Sequence, residues 1–314
     1  MKIRIVALAL LLISLPLAAS AQAKLNVHKV AEGVWTADAE QGANIGWFLV
    51  SDGVVVVDGG NDTAIARAAL EQIAATAAKP VRYLVLTHAH ADHAGGIPVF
   101  AAAGAQIICH ENSAAAAAYL LQSAPAAAGA RTSPGVLAIS ERLVFFGASR
   151  RAAIYYLGPG HTQGDLVVLL PEDKILFSGD LVVNGRLPYL QSADADPRGW
   201  EQILARLGSL DVTTVLPGHG AAGTMQSVGD TLAYLRKVNA LATDFIRTKV
   251  PDDLYEMKLR EPDNRIQNVT VGPEHIANVR SAVKLERARL EKASTAPTPT
   301  PSPSAPKAAT TKKS

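Results

Sequence analysis

Apolar residues are spaced along this chain in two ways, and the two spacings predict different secondary structures. Short segments made up mostly of apolar residues predict buried strands. Longer segments in which apolar residues recur every three or four positions predict helices with one buried face. The predicted strands are residues 34–36, 45–50, 54–57, 81–86, 105–110, 142–146, 153–157, 166–170, 174–177 and 214–216. The predicted helices are residues 62–79, 113–123, 196–210, 225–248 and 274–291, with a short one that ends at residue 103.

Turn-forming residues indicate where several of these segments begin and end. The turn at residues 51–53, Ser-Asp-Gly, joins two strands and predicts a β-hairpin. Asp62 is suited to cap the following helix, because its carboxylate can accept hydrogen bonds from amides of the first turn. Pro80 lies just beyond the predicted end of that helix. Trp47 lies inside the hairpin, where packing in the core is the favoured interpretation and contact with a substrate is the alternative.

The N-terminal end of the chain has the pattern of a secretory signal. Residues 1–23 contain Lys2 and Arg4, then an apolar run, and end in Ala21-Gln22-Ala23, which fits cleavage after Ala23. The apolar run is short for a bilayer span, which favours a cleaved signal over a stable membrane anchor. We therefore expect a bacterial protein that is periplasmic or secreted after removal of the signal.

The C-terminal end and the net charge narrow the class of protein. Residues 293–314 consist only of proline, alanine, threonine, serine and lysine, which predicts a disordered tail. With the signal and the tail left out, 25 basic residues face 28 acidic ones, a net charge of −3. Such a body offers no basic surface for nucleic acid, which argues against a nuclease. Residues 24–292 are numerous enough to bury a large core.

Cys109 is the only cysteine, so no disulfide can form within the chain. It lies in a predicted strand, where we expect a small buried apolar side chain and not a reactive thiol. Stability must then come from the burial of apolar surface and from any bound metal.

One stretch gathers much of the chain's metal-binding chemistry. Three imidazoles and one carboxylate fall within six positions directly after the strand at 81–86, in Thr87-His88-Ala89-His90-Ala91-Asp92-His93-Ala94-Gly95-Gly96. Alternate residues of an extended segment share a side, so His88 and His90 can reach one ion. Asp92 and His93, at the start of a helix, face another point, so one short segment can serve two metal ions.

Three further motifs follow in the second half of the chain. They are Gly158-Pro159-Gly160-His161-Thr162, Phe177-Ser178-Gly179-Asp180 and Leu216-Pro217-Gly218-His219-Gly220. His161 and Asp180 come just after predicted strands, at loop positions where a rigid sheet can fix a ligand. The lone histidines are expected to be ordinary surface or core residues, with His110 the strongest candidate for an exception, and they are His28, His110 and His275.

The His-x-His-x-Asp-His segment after a strand, followed in order by these three motifs, resembles the metallo-β-lactamase superfamily of metallohydrolases. The resemblance covers roughly residues 30–220. It implies an α+β fold, a four-layer αββα sandwich, within a domain at residues 24–292. In this family an insertion such as residues 124–135 overhangs the groove as a lid. C-terminal helices, here residues 225–292, pack on the sheet or cover the groove, and here they could also form a homodimer.

Carried over position by position, the resemblance implies two zinc ions per chain. Asp180 would bridge the two ions, and the remaining ligands would be His88, His90 and His161 for one ion and Asp92, His93 and His219 for the other. Three protein ligands of its own for each ion, besides the shared Asp180, and a shared water leave the open position that catalysis needs. Iron or manganese would also suit these donors. Asp58 would brace the metal loop from behind, and Asp165 is either a similar outer acceptor or simply the start of a strand.

The chemistry that the resemblance implies is hydrolysis. A hydroxide bridging two cations would attack a carbonyl carbon while one cation polarises the carbonyl oxygen. Asp92 and Asp180 are the expected catalytic carboxylates, since Asp92 would orient the nucleophile and Asp180 would bridge the cations. The substrate would be a small molecule that contains an ester, a thioester, a lactone or an amide.

Asp180 differs from the residue at the same position in the true β-lactamases, and this difference favours other branches of the family. It stands where the cysteine-bearing true β-lactamases place a thiolate, and its oxygen resembles the glyoxalase II, lactonase and general hydrolase branches instead. The segment from Gly179 to Gly220 looks like exported zinc hydrolases associated with quinoprotein and sulfur-oxidation systems. Two alternatives stay open. One is a β-lactamase, because the same attack opens a lactam, and the other is an iron-dependent sulfur dioxygenase or a metal-holding accessory protein without turnover.

Overall fold

A computed structural model describes residues 24–39, 42–123, 135–147 and 150–295. The predicted signal, residues 124–134 of the candidate lid and residues 296–314 of the predicted tail lie outside the described residues. The chain divides into two compact units, of which the first extends to residue 152 and the second begins at residue 153, except that residues 141–143 group with the second.

The first unit is built on a seven-stranded mixed sheet whose spatial order follows the chain. The first four strands pair antiparallel, and the fourth to seventh pair parallel. The strands are β1 (Leu25–Ala31), β2 (Val34–Ala39), β3 (Ile45–Val50), β4 (Gly53–Val57), β5 (Val81–Val85), β6 (Gln106–His110) and β7 (Val136–Ile139). Parallel neighbours need a crossover, and helices of this unit lie in those connections. The helices are α1 (Thr63–Ala77), α2 (Ala91–Ala94), α3 (Ile97–Ala102) and α4 (Glu111–Leu121).

Local chemistry sets both ends of α1. The Asp62 carboxylate accepts hydrogen bonds from the amides of Ala64 and Ile65, which confirms the predicted N-cap. Ala78 ends the helix in the left-handed conformation, two residues before Pro80. The helix therefore ends two residues earlier than the predicted end at Lys79.

Alternate strand residues and the helices together form the core of the first unit. Trp47 is fully buried, stacks on Trp35 and donates from its indole nitrogen to the Thr76 hydroxyl at 3.1 Å. The core interpretation of Trp47 is therefore confirmed. Cys109 is fully buried as well, and burial raises the pKa of its thiol to about 11. It is an inert core residue, as predicted.

A five-stranded sheet, in the order β12-β11-β10-β9-β8, underlies the second unit. Its strands are β8 (Arg142–Phe146), β9 (Arg151–Tyr156), β10 (Leu166–Leu170), β11 (Ile175–Val183) and β12 (Thr214–His219). Strand β10 pairs antiparallel with β9 and β11, whereas β11 and β12 are parallel. The α5 helix occupies the connection that this parallel pair requires.

The remaining helices of the second unit bury a separate apolar cluster. They are α5 (Pro197–Leu207), α6 (Met225–Arg247), α7 (Tyr255–Leu259) and α8 (Pro273–Thr295), with 3-10 turns at Asp252–Leu254 and Pro262–Asn264. Trp200, Leu235 and Val279 belong to this cluster and are fully buried. In the described part of the chain, no helix combines the length and apolar character that a bilayer crossing would require.

The structure differs from the sequence predictions in five elements. Strands β1 and β7 and helix α7 were not predicted. Polar residues interrupt β1, and α7 is only five residues long. Strand β11 continues through Asp180 to Val183, so Asp180 lies within a strand and not in a loop after it, which corrects the prediction. Helix α8 includes residues 293–295, which had been assigned to the disordered tail.

Candidate metal centre

The predicted ligands of the first unit lie in a short segment that runs from the end of β5 into α2. His90 is extended and precedes α2, so the chain changes direction between the second and third histidines. Donor atoms of successive neighbours lie within 4.8 Å of each other, for His90 with His88, His88 with His93, and His93 with Asp92. The structure thus brings the four predicted ligands of this segment into one cluster.

Asp58 holds this cluster in place by hydrogen bonds. It follows β4, is buried and adopts a left-handed backbone conformation with φ of 63°, which is unusual for a residue other than glycine. Its carboxylate accepts hydrogen bonds from the Thr87 amide at 2.8 Å and from His93 Nδ1 at 2.8 Å. A carboxylate can only accept, so the His93 proton sits on Nδ1 and the Nε2 lone pair is left for a metal.

The same carboxylate also determines the tautomer of His88. The Thr87 hydroxyl donates to Asp58 at 2.8 Å, and the Thr87 oxygen lies 3.1 Å from His88 Nδ1. Because the hydroxyl hydrogen is used by Asp58, His88 must donate from Nδ1, which leaves its Nε2 as the metal-binding nitrogen. Asp58 therefore orients one histidine directly and a second through Thr87, and sequence analysis had not given Thr87 a role.

In the second unit one carboxylate oxygen lies between two imidazoles. The Asp180 Oδ2 atom is 3.5 Å from His161 Nε2 and also 3.5 Å from His219 Nε2. Asp180 is buried within β11, and His219 ends the neighbouring strand β12. The structure brings together these three predicted ligands, which are distant along the chain.

Glycine permits this close approach of β12 to Asp180. A Cβ atom at Gly218 would collide with Asp180 Oδ1 and with backbone atoms of Gly179 and Asp180. Gly179 itself has a positive φ of 51°, and the pairing of β11 with β12 is irregular around it. Gly218 is therefore needed for close packing against the Asp180 carboxylate, and Gly179 adopts the left-handed backbone conformation directly before it.

His161 is held by a main-chain carbonyl. Its Nδ1 atom donates to the Tyr189 carbonyl oxygen at 3.1 Å, and the Trp200 ring packs edge-on against the imidazole with centroids 5.3 Å apart. A carbonyl only accepts, so the Nε2 atom of His161, on the side of Asp180, is the unprotonated nitrogen. The sequence carries no signal for this contact, because every residue has a main-chain carbonyl group.

Asp165 supports the turn that carries His161. Its carboxylate accepts from the Thr162 amide at 2.9 Å and from the Thr162 hydroxyl at 2.7 Å. Burial raises the pKa of Asp165 to about 7. Asp165 also directly precedes β10, so it lies at the start of a strand, and its carboxylate accepts from the residue next to His161.

The three lone histidines have structural roles. His28 is exposed and pairs with Asp38, whereas His110 is buried and accepts from the amide of Asn112 at the start of α4. His275 is buried against the hydroxyl of Tyr234, at 3.1 Å. His110, the predicted candidate for an exception, is thus a helix cap.

These donors fit a zinc ion by their chemistry. They are imidazole nitrogens and carboxylate oxygens, the donor types found at catalytic zinc centres. For His88, His93 and His161, the Nδ1 atom is engaged by the protein, and Nε2 is the nitrogen left to bind a metal.

Comparisons with known proteins identify the family. Residues 40–219 match the family model of the metallo-β-lactamase superfamily. A metallo-β-lactamase type 2 of Bacillus sp. (strain 170) is 31% identical over 191 residues, which are 59% of this chain and 70% of that protein. The lactamase-like protein vrtG of Penicillium aethiopicum is 28% identical over 183 residues, which are 58% of this chain and 52% of that protein.

A solved structure supports the fold directly. The metallo-β-lactamase from Pontibacter korlensis superposes with a TM-score of 0.59 and 27% identity, over 68% of this chain and 99% of that one. The predicted α+β fold of the metallo-β-lactamase type is confirmed, and the sheet and helices of each unit are of the kinds that a four-layer αββα sandwich contains. The chain belongs to the metallo-β-lactamase superfamily of metal-dependent hydrolases.

Proposed function

We propose that this protein is an exported zinc-dependent hydrolase that cleaves an ester, thioester, lactone or amide bond in a small molecule. The observation that carries the proposal is the position of Asp180 Oδ2, 3.5 Å from Nε2 of both His161 and His219. A carboxylate with an imidazole on either side is what a ligand shared by two cations requires.

The proposal assigns seven ligands to two zinc ions. Asp180 is shared by both ions, and the other ligands are His88, His90 and His161 for one and Asp92, His93 and His219 for the other. The bracing of His88 and His93 by Thr87 and Asp58 supports this assignment, because ligand histidines usually donate their second ring N–H to the protein.

The protein side chains divide the remaining work. When bound, zinc would lower the pKa of a water molecule and polarise the carbonyl group of the substrate. Asp92 is partly exposed, with its Oδ2 3.8 Å from His93 Nε2, so its carboxylate can accept a hydrogen bond from the attacking nucleophile and orient it. Asp180 is almost fully buried, which suits it to holding cations and not to exchanging protons with solvent.

An oxygen ligand at Asp180 favours the general hydrolase branches over β-lactamases. The β-lactamase alternative keeps support from the 31% identical relative named a metallo-β-lactamase type 2. The two are separated by a substrate panel on the purified protein, with nitrocefin, an aryl ester, a thioester and a lactone. We expect at least one of the last three to be cleaved faster than nitrocefin, and preference for nitrocefin would favour the β-lactamase.

The metal content tests the proposal independently of the substrate. Protein purified without added metal is expected to contain two zinc ions per chain by elemental analysis. One iron per chain with oxygen uptake would instead support the dioxygenase, and tightly bound metal without turnover of any panel member would support the accessory protein. Manganese in place of zinc would leave the hydrolytic proposal intact and correct only the metal.

Export is the part of the proposal that rests on sequence. It is supported by the charged start, apolar run and Ala21-Gln22-Ala23 ending of the first 23 residues. N-terminal sequencing of the protein from a periplasmic fraction should give Lys24 as the first residue. Mature protein that starts at Met1 would refute export by this signal.

A further inference from the structure

The carbonyl that orients His161 belongs to a segment without secondary structure of its own. Pro188, Tyr189, Leu190 and Gln191 lie between β11 and α5 in neither a helix nor a strand. Main-chain carbonyls in such segments can tilt freely unless other contacts fix them. The orientation of His161 therefore depends on whatever holds this segment in place.

Asn278, in the second turn of α8, holds the segment on both sides of Tyr189. Its side chain is fully buried. The Oδ1 atom accepts from the Leu190 amide at 3.1 Å and from Gln191 Nε2 at 2.7 Å. The Nδ2 atom donates to the Pro188 carbonyl at 2.7 Å. Three hydrogen bonds from one side chain thus fix the residue before Tyr189 and the two residues after it.

A second layer of contacts fixes the amide of Asn278 itself. Its Nδ2 atom also donates to the Tyr234 hydroxyl at 2.8 Å, so all four hydrogen-bonding positions of the amide are used. The Tyr234 oxygen accepts there, and its own hydrogen is available for His275 Nδ1 at 3.1 Å. Turning the amide over would place Oδ1 against the Pro188 carbonyl oxygen, where two acceptors repel. The hydrogen bonds that link His275, Tyr234 and Asn278 therefore allow only one orientation of the Asn278 amide.

We propose that Asn278 is a positioning residue for metal binding by His161. It holds the Tyr189 carbonyl where that carbonyl fixes the His161 ring, with Nε2 on the side of Asp180. The inference rests on the proposed role of His161 as a zinc ligand. Helix α8 lies outside residues 40–219, which match the family model, so this support comes from a part of the chain that the family model does not include.

Zinc affinity of the full-length protein is the measurement that tests this role. In Asn278→Leu all four hydrogen bonds are lost and buried groups of residues 188–190 are left without a partner. Competition with a chromophoric chelator should show that one of the two zinc ions is bound about 10-fold more weakly than in the wild type. This factor is the lower end of what outer contacts of metal ligands contribute. Asn278→Ser is expected to fold more readily because water can fill the space, and it should weaken zinc binding by a smaller factor, about 3-fold.

Asn239 provides a matched control on α6. Its amide is also buried and donates to the Pro197 carbonyl and to Glu201 of α5, both at 3.0 Å, and not to the carbonyl of Pro188. Asn239→Leu therefore removes a buried amide of the same kind while the hydrogen bonds of Asn278 to residues 188–191 stay in place. We expect its zinc affinity to stay within about 2-fold of the wild type, since distant sites act independently.

The imidazole resonances give a readout that a loss of stability alone would not change. In zinc-loaded protein labelled with ¹⁵N-histidine, the Nδ1–H signal of His161 should shift or broaden in Asn278→Leu. The signal of His93, which is held by Asp58, should not change and serves as the internal reference.

The outcomes separate this inference from the proposed function. A wild type that binds no zinc, or a His161→Ala variant that keeps two tightly bound zinc ions, would overturn the ligand role on which the inference rests. If the wild type binds two zinc ions and the Asn278 variants bind them as tightly as Asn239→Leu does, the positioning role is refuted and the ligand assignment stands. If Asn278→Leu does not fold, Asn278→Ser decides by the same comparison.

Discussion

His93 and His161 are two proposed zinc ligands held at the same ring nitrogen by chemically different partners. Asp58 accepts from His93 Nδ1 at 2.8 Å, whereas the Tyr189 carbonyl accepts from His161 Nδ1 at 3.1 Å. A carboxylate brings a negative charge that makes its histidine a more basic ligand. A carbonyl brings only a partial charge, so how well it orients its histidine depends on how firmly the main chain is held.

The two arrangements also differ in how many residues they need. Asp58 directly contacts both His93 and Thr87, and through Thr87 it reaches His88. The Tyr189 carbonyl serves one histidine and depends on Asn278, which itself depends on Tyr234. The first arrangement is compact and electrostatic, and the second relies on packing between a loop and two helices.

Loss of a ligand should outweigh loss of either support, so the largest effect is expected for Asp180→Ala. This change removes the carboxylate between His161 and His219. We expect the loss of at least one zinc ion per chain and a fall in kcat/KM of more than about 100-fold, because even outer contacts of ligands contribute about 10- to 100-fold. Elemental analysis and steady-state kinetics on the best panel substrate measure both.

Asp211→Ala is the matched control for that change. Asp211 is exposed and pairs with Lys174 on the surface of the same unit. Its loss should leave metal content and rate unchanged, since exposed ion pairs contribute little. An Asp180→Ala protein with two zinc ions and full activity would refute the shared-ligand role.

Asp58→Asn should have the next largest effect on zinc binding, because it removes the carboxylate that supports His93. An amide in place of the carboxylate presents a donor toward either Thr87 or His93, and at His93 it would favour the tautomer with the proton on Nε2. Zinc affinity is expected to fall by about 10- to 100-fold, more than for Asn278→Leu, because a charge is lost as well.

Asp62→Asn controls for this substitution, because asparagine caps a helix about as well as aspartate does. Both variants are compared by chelator competition. Equal zinc affinity of Asp58→Asn and the wild type would show that the carboxylate matters for folding alone. A smaller effect than that of Asn278→Leu would reverse the order of the two supports.

Glu286→Gln should have the smallest effect on zinc affinity. It tests whether the effect of Asn278→Leu is specific to Asn278 or follows from any change in α8. Glu286, on α8 like Asn278, is buried and accepts from Arg289 at 2.7 and 2.8 Å and from Arg198 of α5 at 3.0 Å. The variant should lose about 1 to 2 kcal/mol of stability, with zinc affinity within about 2-fold of the wild type. A zinc affinity as low as that of Asn278→Leu would show that any loosening of α8 disturbs the metal ligands.

The stability loss in Glu286→Gln should depend on pH. Hydrogen bonds from Arg289 and Arg198 lower the pKa of Glu286 from 4.5 to about 2. Since the folded-state pKa is the lower one, the stabilisation is fully present above about pH 4.5 and is lost as the pH falls toward 2. Urea unfolding in EDTA should therefore show a clear difference between variant and wild type at pH 7 and a smaller one at pH 3. Glu256→Gln, which breaks an exposed pair with Arg260, should show little difference at either pH.

Sequence patterns predicted the elements whose own residues carry the signal. The β3–β4 hairpin, α1 with its Asp62 cap and the buried β5 were all predicted close to their observed bounds. Strand β1 was missed because polar residues interrupt its apolar positions. Strand β7 is a run of four apolar residues, and it was missed although that pattern is present in the sequence. The extension of β11 through Asp180 was missed because Gly179 resembles the end of a strand, whereas the irregular pairing with β12 accommodates it.

The amino-acid sequence by itself determined the donor types and their order, because the identity and order of the His, Asp and Gly residues belong to the covalent chain and do not depend on packing. It also indicated the superfamily and the brace at Asp58. Only the tertiary structure decided which ring nitrogen His88, His93 and His161 offer, since that depends on hydrogen bonds to Thr87, to Asp58 and to the carbonyl of Tyr189. The support by Asn278 was decided there too, because it joins residues 87 to 90 positions apart and involves backbone atoms that every residue possesses.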